Sequence, residues 1–125
     1  MLGYVTVGSN DLPKANAYYA DLLGDIGFTK LFDHPSGGTI FAKDGKIQFG
    51  VLGTYNGEPA TAGNGSMVAM ELPSAAAVDS FHAKALALGG SCEGAPGNRG
   101  GFFYAAYMRD LDGNKLCAYH MPSAA

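Results

Sequence analysis

Apolar and polar positions alternate over residues 2–8, with Val5 and Val7 on one side and Tyr4 and Thr6 on the other, so the spacing predicts a strand. Ser9-Asn10-Asp11 then offers capping side chains, and Pro13 suits a first helical turn. Ala15, Tyr18, Tyr19, Leu22, Leu23 and Ile26 recur at helical spacing, and Gly24 and Gly27 are stop signals. Residues 28–33, 39–43 and 46–52 read as three strands. The first two are divided by a His34–Gly38 turn, the last two by Asp44-Gly45, a dipeptide that tolerates the positive φ of a tight hairpin. Residues 53–65, rich in Gly, Pro, Thr and Asn, read as a linker or pocket loop.

The same order then recurs. A strand is expected over 66–72 and a helix from a Ser74 cap to about Leu88, with Val78, Phe81, Ala85 and Leu86 buried. Gly89-Gly90 stops it. A weak strand over 91–94, a loop from Gly94 to Gly101, a strand resuming near Phe102 and a last strand over 115–121 complete the series. The interval from Tyr4 to Gly27 equals that from Met67 to Gly90, and Asp44-Gly45-Lys46 is echoed by Asp112-Gly113-Asn114-Lys115. Two modules are therefore expected, about 1–53 and 65–121, each strand, helix, strand, strand, strand. A chain of 125 residues is short for two independent domains, so the modules read as halves of one domain over 1–125. The class is α+β. One helix covers one face of each sheet, and the remaining faces must meet each other or enclose a ligand, which favours an open eight-stranded barrel or cleft. A ferredoxin-like domain is the plainer alternative.

Charge narrows the partners. Eight Lys and Arg against 11 Asp and Glu give a net charge of −3, with no basic run, which argues against nucleic-acid binding. Arg99 and Arg109 lie close enough in sequence to leave a local basic pocket open. No apolar run is long enough to span a membrane, and no basic-then-apolar leader opens the chain, so a cytoplasmic protein away from membranes is expected. Cys92 and Cys117 make neither a disulfide framework nor a Cys-x-x-Cys motif.

Gly3-Tyr4-Val5-Thr6-Val7-Gly8-Ser9-Asn10-Asp11-Leu12, with Ala17-Tyr18-Tyr19 and Leu22-Leu23-Gly24, resembles the opening of the vicinal oxygen chelate family, which includes glyoxalase-like, bleomycin-resistance-like and extradiol-dioxygenase-like proteins. Gly65–Ala69 with Phe81-His82-Ala83 is similar to the start of that family's second module, and Tyr107–Lys115 to its final hairpin. The resemblance implies paired βαβββ modules around a ligand-holding cleft, often in a homodimer, and in many members a divalent metal on the inner face. The positions it assigns to the metal ligands fall on Tyr4, Met67 and Cys117, with a further one near Gln48. None of these is His, Asp or Glu, so no metal site and no cofactor are predicted; a divalent metal is the family-based alternative.

The four side chains instead predict either a packed apolar cavity or the floor of a small-molecule pocket, in which Tyr4 and Gln48 orient polar groups while Met67 and Cys117 meet an apolar body. Thr6 and Glu71 share the periodicity of Tyr4 and Met67, which makes Glu71 the candidate catalytic base if it is not simply a surface acid. Arg109 is a candidate anchor for a carboxylate or phosphate, or a clamp on its own turn, and Tyr119 follows Cys117 on one face as an aromatic wall. His34, His82 and His120 form no metal motif and read as surface or interface residues. The sequence thus predicts a small-organic-molecule binding protein. A metal-independent lyase or isomerase using Glu71 is the first alternative, and a partner-binding protein with a degenerate pocket the second.

Overall fold

The computed structural model describes residues 1–122. The described residues divide into two compact units, one comprising residues 1–64 and 111–114, the other residues 65–110 and 115–122. Each holds its own four-stranded mixed sheet and one helix. The element order is the βαβββ pattern twice over, and the eight strands form two separate hydrogen-bonded sheets rather than one closed barrel.

In the first unit, β1 (Val5–Gly8) runs parallel to β4 (Lys46–Leu52), with Val5 opposite Phe49 and Val7 opposite Val51. β3 (Thr39–Lys43) pairs antiparallel with β4, and β2 (Thr29–Asp33) forms the far edge. The helix α1 (Leu12–Gly24) is capped by Asp11, whose carboxylate accepts from the Lys14 amide. Its stripe Ala15, Tyr18, Tyr19, Leu22 and Leu23 is buried. Tyr19 meets Phe49 at 4.8 Å between ring centroids, Tyr18 stands edge-on to Tyr19 at 5.2 Å, and Phe41 lies 6.4 Å from Phe49. Burying each such ring contributes on the order of 2–3 kcal/mol, so this cluster is a substantial part of the unit's core. β1 is shorter than the predicted 2–8 because residues 2–4 find no partner strand.

Phe41 stands opposite Phe49 but Ala42 stands opposite Ile47, so Gln48 is the extra residue of a β-bulge. Residues 111–114 complete this unit. The Asn114 side chain donates to the Gly8 carbonyl at 2.9 Å, and the Asp112 carboxylate accepts the Asn10 amide at 2.8 Å.

In the second unit, β5 (Val68–Glu71) runs parallel to β8 (Lys115–His120), followed across the sheet by β7 (Phe103–Arg109) and β6 (Ser91–Arg99) at the edge. The helix α2 (Ala75–Ala87) is capped by Ser74, whose hydroxyl accepts from the Ala77 amide at 3.1 Å. Val78, Phe81, His82 and Ala85 are its buried positions. Leu86 is only half-buried, and His82, expected at the surface, is 8% exposed.

The glycine-rich stretch from Gly94, expected as a loop, is instead strand as far as Arg99. Register shifts at Cys92/Gly94 and Gly94/Gly97 absorb the irregular spacing, after which Gly97, Asn98 and Arg99 pair with Ala105, Tyr104 and Phe103. Glycine is what permits this close approach: a Cβ on Gly94 would lie 3.0 Å from the Tyr107 ring.

Candidate functional site

Alternation along β7 and β8 sorts the second sheet into two faces. Tyr104 donates its hydroxyl to Asp79 of α2 at 2.6 Å, which fixes Tyr104, Ala106 and Met108 on the helix side together with Leu116 and Ala118. His120 also belongs there, its Nδ1 lying 3.0 Å from the Leu72 carbonyl oxygen. The opposite face carries Phe103, Ala105, Tyr107 and Arg109 from β7 and Lys115, Cys117 and Tyr119 from β8. Ala69 and Glu71 of β5 flank Cys117 and Tyr119 on that face, and Met67 precedes them at the same parity.

Cys117 is the floor of this face, 1% exposed between Ala69 and Tyr107, both cross-strand neighbours. Burial pushes its thiol pKa up, with Lys115 and Arg99 pulling partly the other way. Phe103 stacks on Tyr119 at 5.2 Å. Burial also raises the Tyr119 phenol, helped by the Glu71 carboxylate and, where the thiol ionises at high pH, by Cys117. Two cations lie over the remaining ring: the Arg99 guanidinium is 5.5 Å and the Lys115 ammonium 5.3 Å from the Tyr107 centroid. Arg99 is steadied by donating to the Ala95 carbonyl at 2.8 Å. Arg109 donates from Nε to Glu93 at 2.9 Å, and that hydrogen bond, with the guanidinium charge, holds the Glu93 carboxyl below its ordinary range.

Of the residues singled out from sequence, Glu71, Arg109, Cys117 and Tyr119 therefore share one face of the second unit, with exposed Met67 at its margin. Arg109 is engaged with Glu93, and the cations over Tyr107 are Arg99 and Lys115. Lys115 is not among the residues singled out from sequence, although alternation from Cys117 places it on this face.

Tyr4, Thr6 and Gln48 belong to the first unit. Tyr4 is 55% exposed, just ahead of β1, and Thr6 stands opposite Gly50. The Gln48 amide donates to the Lys43 carbonyl at 3.4 Å. In the second unit Val68 pairs with Leu116 and Ala69 with Cys117; in the first, Val5 pairs with Phe49 and Thr6 with Gly50. Gly50, two residues past Gln48, thus holds the place that corresponds to Cys117. It must stay small, because a Cβ there would come 2.7 Å from Ile40 Cδ1 and 3.4 Å from Thr6 Cγ2.

A groove of about 470 Å³ opens beside β1 in this unit, lined by Thr6, Gly8, Leu52 and the loop from Gly53 to Thr61. Asn10 braces the loop: its side-chain amide donates to the Ala60 carbonyl at 3.0 Å, and its side-chain oxygen accepts the Ala60 amide at 2.7 Å. Thr54 donates to the Glu58 carbonyl at 2.7 Å, and the Gly53 amide donates to Ser36 Oγ at 2.9 Å.

The side chains at the positions that the resemblance assigns to metal ligands are, each taken by itself, poor donors for a hard divalent cation. Cys117 is held as a thiol, Tyr4 and Met67 are weak donors for hard cations, Gln48 is turned to a backbone carbonyl, and Gly50 offers no side chain. Among the described residues no group of three or more His, Cys, Asp or Glu is arranged to hold a metal ion. Among them, too, no helix is long and apolar enough to cross a membrane.

Comparison with known proteins places this architecture. No curated protein sequence matches the chain. The crystal structure of a glyoxalase/bleomycin resistance protein from Albidiferax ferrireducens T118 is similar over 98% of this chain and 99% of its own, at 40% identity and a TM-score of 0.87. A glyoxalase/bleomycin resistance protein/dioxygenase family enzyme from Burkholderia phytofirmans PsJN shares the fold at 19% identity over 96% and 98% of the two chains, with a TM-score of 0.78. So does a lactoylglutathione lyase from Agrobacterium tumefaciens, at 19% identity, 96% and 92% coverage and a TM-score of 0.71. The sequence profile of one superfamily matches residues 1–118, and with the 40% identical relative it shows that the chain belongs to the Glyoxalase/Bleomycin resistance protein/Dioxygenase superfamily.

Proposed function

We propose that this protein binds a small organic molecule with an apolar or aromatic body and an anionic group, without the metal centre of many of its relatives. The observation that carries the reading is the pair of cations over Tyr107, on the face that also holds the Phe103–Tyr119 stack. Flat aromatic walls suit an apolar ligand body, and a guanidinium and an ammonium near one ring supply the charge for a carboxylate or phosphate. Cys117 and Met67 would meet the apolar part. Tyr4, Thr6 and Gln48 are proposed as ligand-binding residues of the first unit, where Thr6 lines the groove beside β1, and Arg109 supports the face of the second unit by fixing Glu93. The family resemblance adds a homodimer to this reading, which sedimentation equilibrium tests.

Calorimetric titration with benzoate and phenylphosphonate, against benzamide as the neutral analogue, tests the proposal. Saturable binding of the anions is expected, with benzamide at least about tenfold weaker, a difference of about 1.4 kcal/mol. Equal affinities, or no saturation by any of the three, would overturn it. A second reading makes the same face catalytic: Glu71 stands opposite Tyr119, close enough for its charge to raise the phenol pKa, and would act as the base of a lyase or isomerase. On that reading Glu71→Gln abolishes turnover and leaves binding of the anion nearly intact.

A further inference from the structure

The second unit holds a group of polar side chains away from the face just described. Cys92 stands opposite Met108 on the edge strand β6, which directs its side chain toward α2. There His82 Nε2 lies 3.3 Å from its sulfur. The two partners differ in exposure: the imidazole is 8% exposed, whereas the cysteine is exposed at the sheet edge. One turn earlier on α2, Asp79 accepts the Tyr104 hydroxyl at 2.6 Å, and its charge acts on His82. A thiol, an imidazole, a carboxylate and a phenol thus lie close together, with the imidazole buried and the thiol open to reagents.

We propose that Cys92 and His82 form a thiol–imidazole pair that makes Cys92 a site of mixed-disulfide formation with low-molecular-mass disulfides. Burial lowers the His82 pKa more than Asp79 raises it, so near neutrality the ring is uncharged and Nε2 can accept the thiol proton. The resulting thiolate attacks one sulfur of R–S–S–R. A Cys92 Sγ–S bond forms as the S–S bond breaks, and the departing thiolate takes the proton back from His82 as RSH. The external disulfide is the oxidant, Cys92 is oxidised, and no metal or further co-reactant is needed. Asp79 faces the imidazolium formed on the way, and the helix holds the ring in place while the sulfur stays accessible. Cys117 is the internal contrast: it is buried with a raised pKa, so it should stay inert.

The test uses the intact protein at pH 7 with excess 5,5′-dithiobis(2-nitrobenzoate), whose acidic aromatic leaving group stays ionised, following release of the coloured thiolate and locating the adduct by peptide mass. N-acetylcysteine is the unassisted reference. The expected result is an adduct on Cys92, none on Cys117 in the folded chain, and a second-order rate about tenfold above the reference. His82→Gln, with folding checked by circular dichroism, should bring the rate down to the reference, and Cys92→Ser should remove it. A wild-type rate at or below that of N-acetylcysteine overturns the proposal, as does a rate that His82→Gln leaves unchanged. The first comparison decides even where the His82 variant does not fold.

Discussion

Gly38 offers a test of how tightly the first sheet is built. It stands just before β3, and its φ lies outside the left-handed region, so only space is at issue when alanine replaces it. A Cβ there would come 2.8 Å from Leu52 Cα and 2.9 Å from the Val51 carbonyl carbon, with the Val51 carbonyl oxygen nearer still. All three are backbone atoms of β4, and ordinary contact begins near 3.4 Å. No side chain can swing aside, so β3 must part from β4 at the Thr39–Val51 pairing, and the Gly38 carbonyl is displaced from the His34 amide. Overpacking of this kind costs about 1–3 kcal/mol, and each weakened hydrogen bond adds about 1 kcal/mol. A total of about 3 kcal/mol follows for Gly38→Ala. With a urea dependence of about 2 kcal/mol per molar, the unfolding midpoint should fall by about 1.5 M. Gly24→Ala is the control: its Cβ would meet nothing within 4 Å at the end of α1, and the variant should hold or gain up to about 1 kcal/mol through helix propensity. A Gly38→Ala midpoint within about 0.2 M of the parent, or an equal loss in both variants, would refute the reasoning.

Two further outcomes follow from the same geometry. Asn10→Ala removes both side-chain bonds to Ala60 and should speed hydrogen exchange at the Ala60 amide by about five- to thirtyfold, equivalent to about 1–2 kcal/mol of local opening; unchanged exchange would show that the brace does not hold the loop. His82 has a folded pKa below its unfolded value near 6.5, so the unfolded chain binds the extra proton first and stability must fall as pH drops from about 7 through the lowered folded pKa. Urea midpoints should therefore decline on acidification more steeply in the parent than in His82→Gln, and parallel declines would contradict the assignment.

Much of this architecture is legible in the residues because two signals repeat. Helical spacing of Ala15, Tyr18, Tyr19, Leu22 and Leu23 leaves only one face to bury, and Asp11 and Gly24 mark its ends; the second helix follows the same logic from Ser74. The strand bounds 39–43 and 46–52 emerge because the Asp44-Gly45 turn pins both, with Asp44 at φ 53°. The Gly94–Gly101 stretch misleads because composition alone cannot distinguish a glycine loop from a bulged edge strand; only the Tyr107 ring occupying the missing side chain's space decides it. Bulges also explain why Gly50, not Gln48, corresponds to Cys117: counting from the turns places these positions differently from counting along the paired strands. The Cys92–His82 contact joins β6 to α2 across a tertiary fold that neither local pattern announces.

The polar stitching of residues 111–114 to Gly8 and Asn10 has a consequence for biosynthesis. The N-terminal half leaves the ribosome long before the turn that finishes it has been translated. Until Asn114 emerges, the Gly8 carbonyl and the Asn10 amide lack these two partners, so the first of the two modules to be made is not the first to be completed. Translation halted after residue 64 would leave a sheet with an open seam, and closing that seam makes the maturation of the first module wait for a turn encoded within the second.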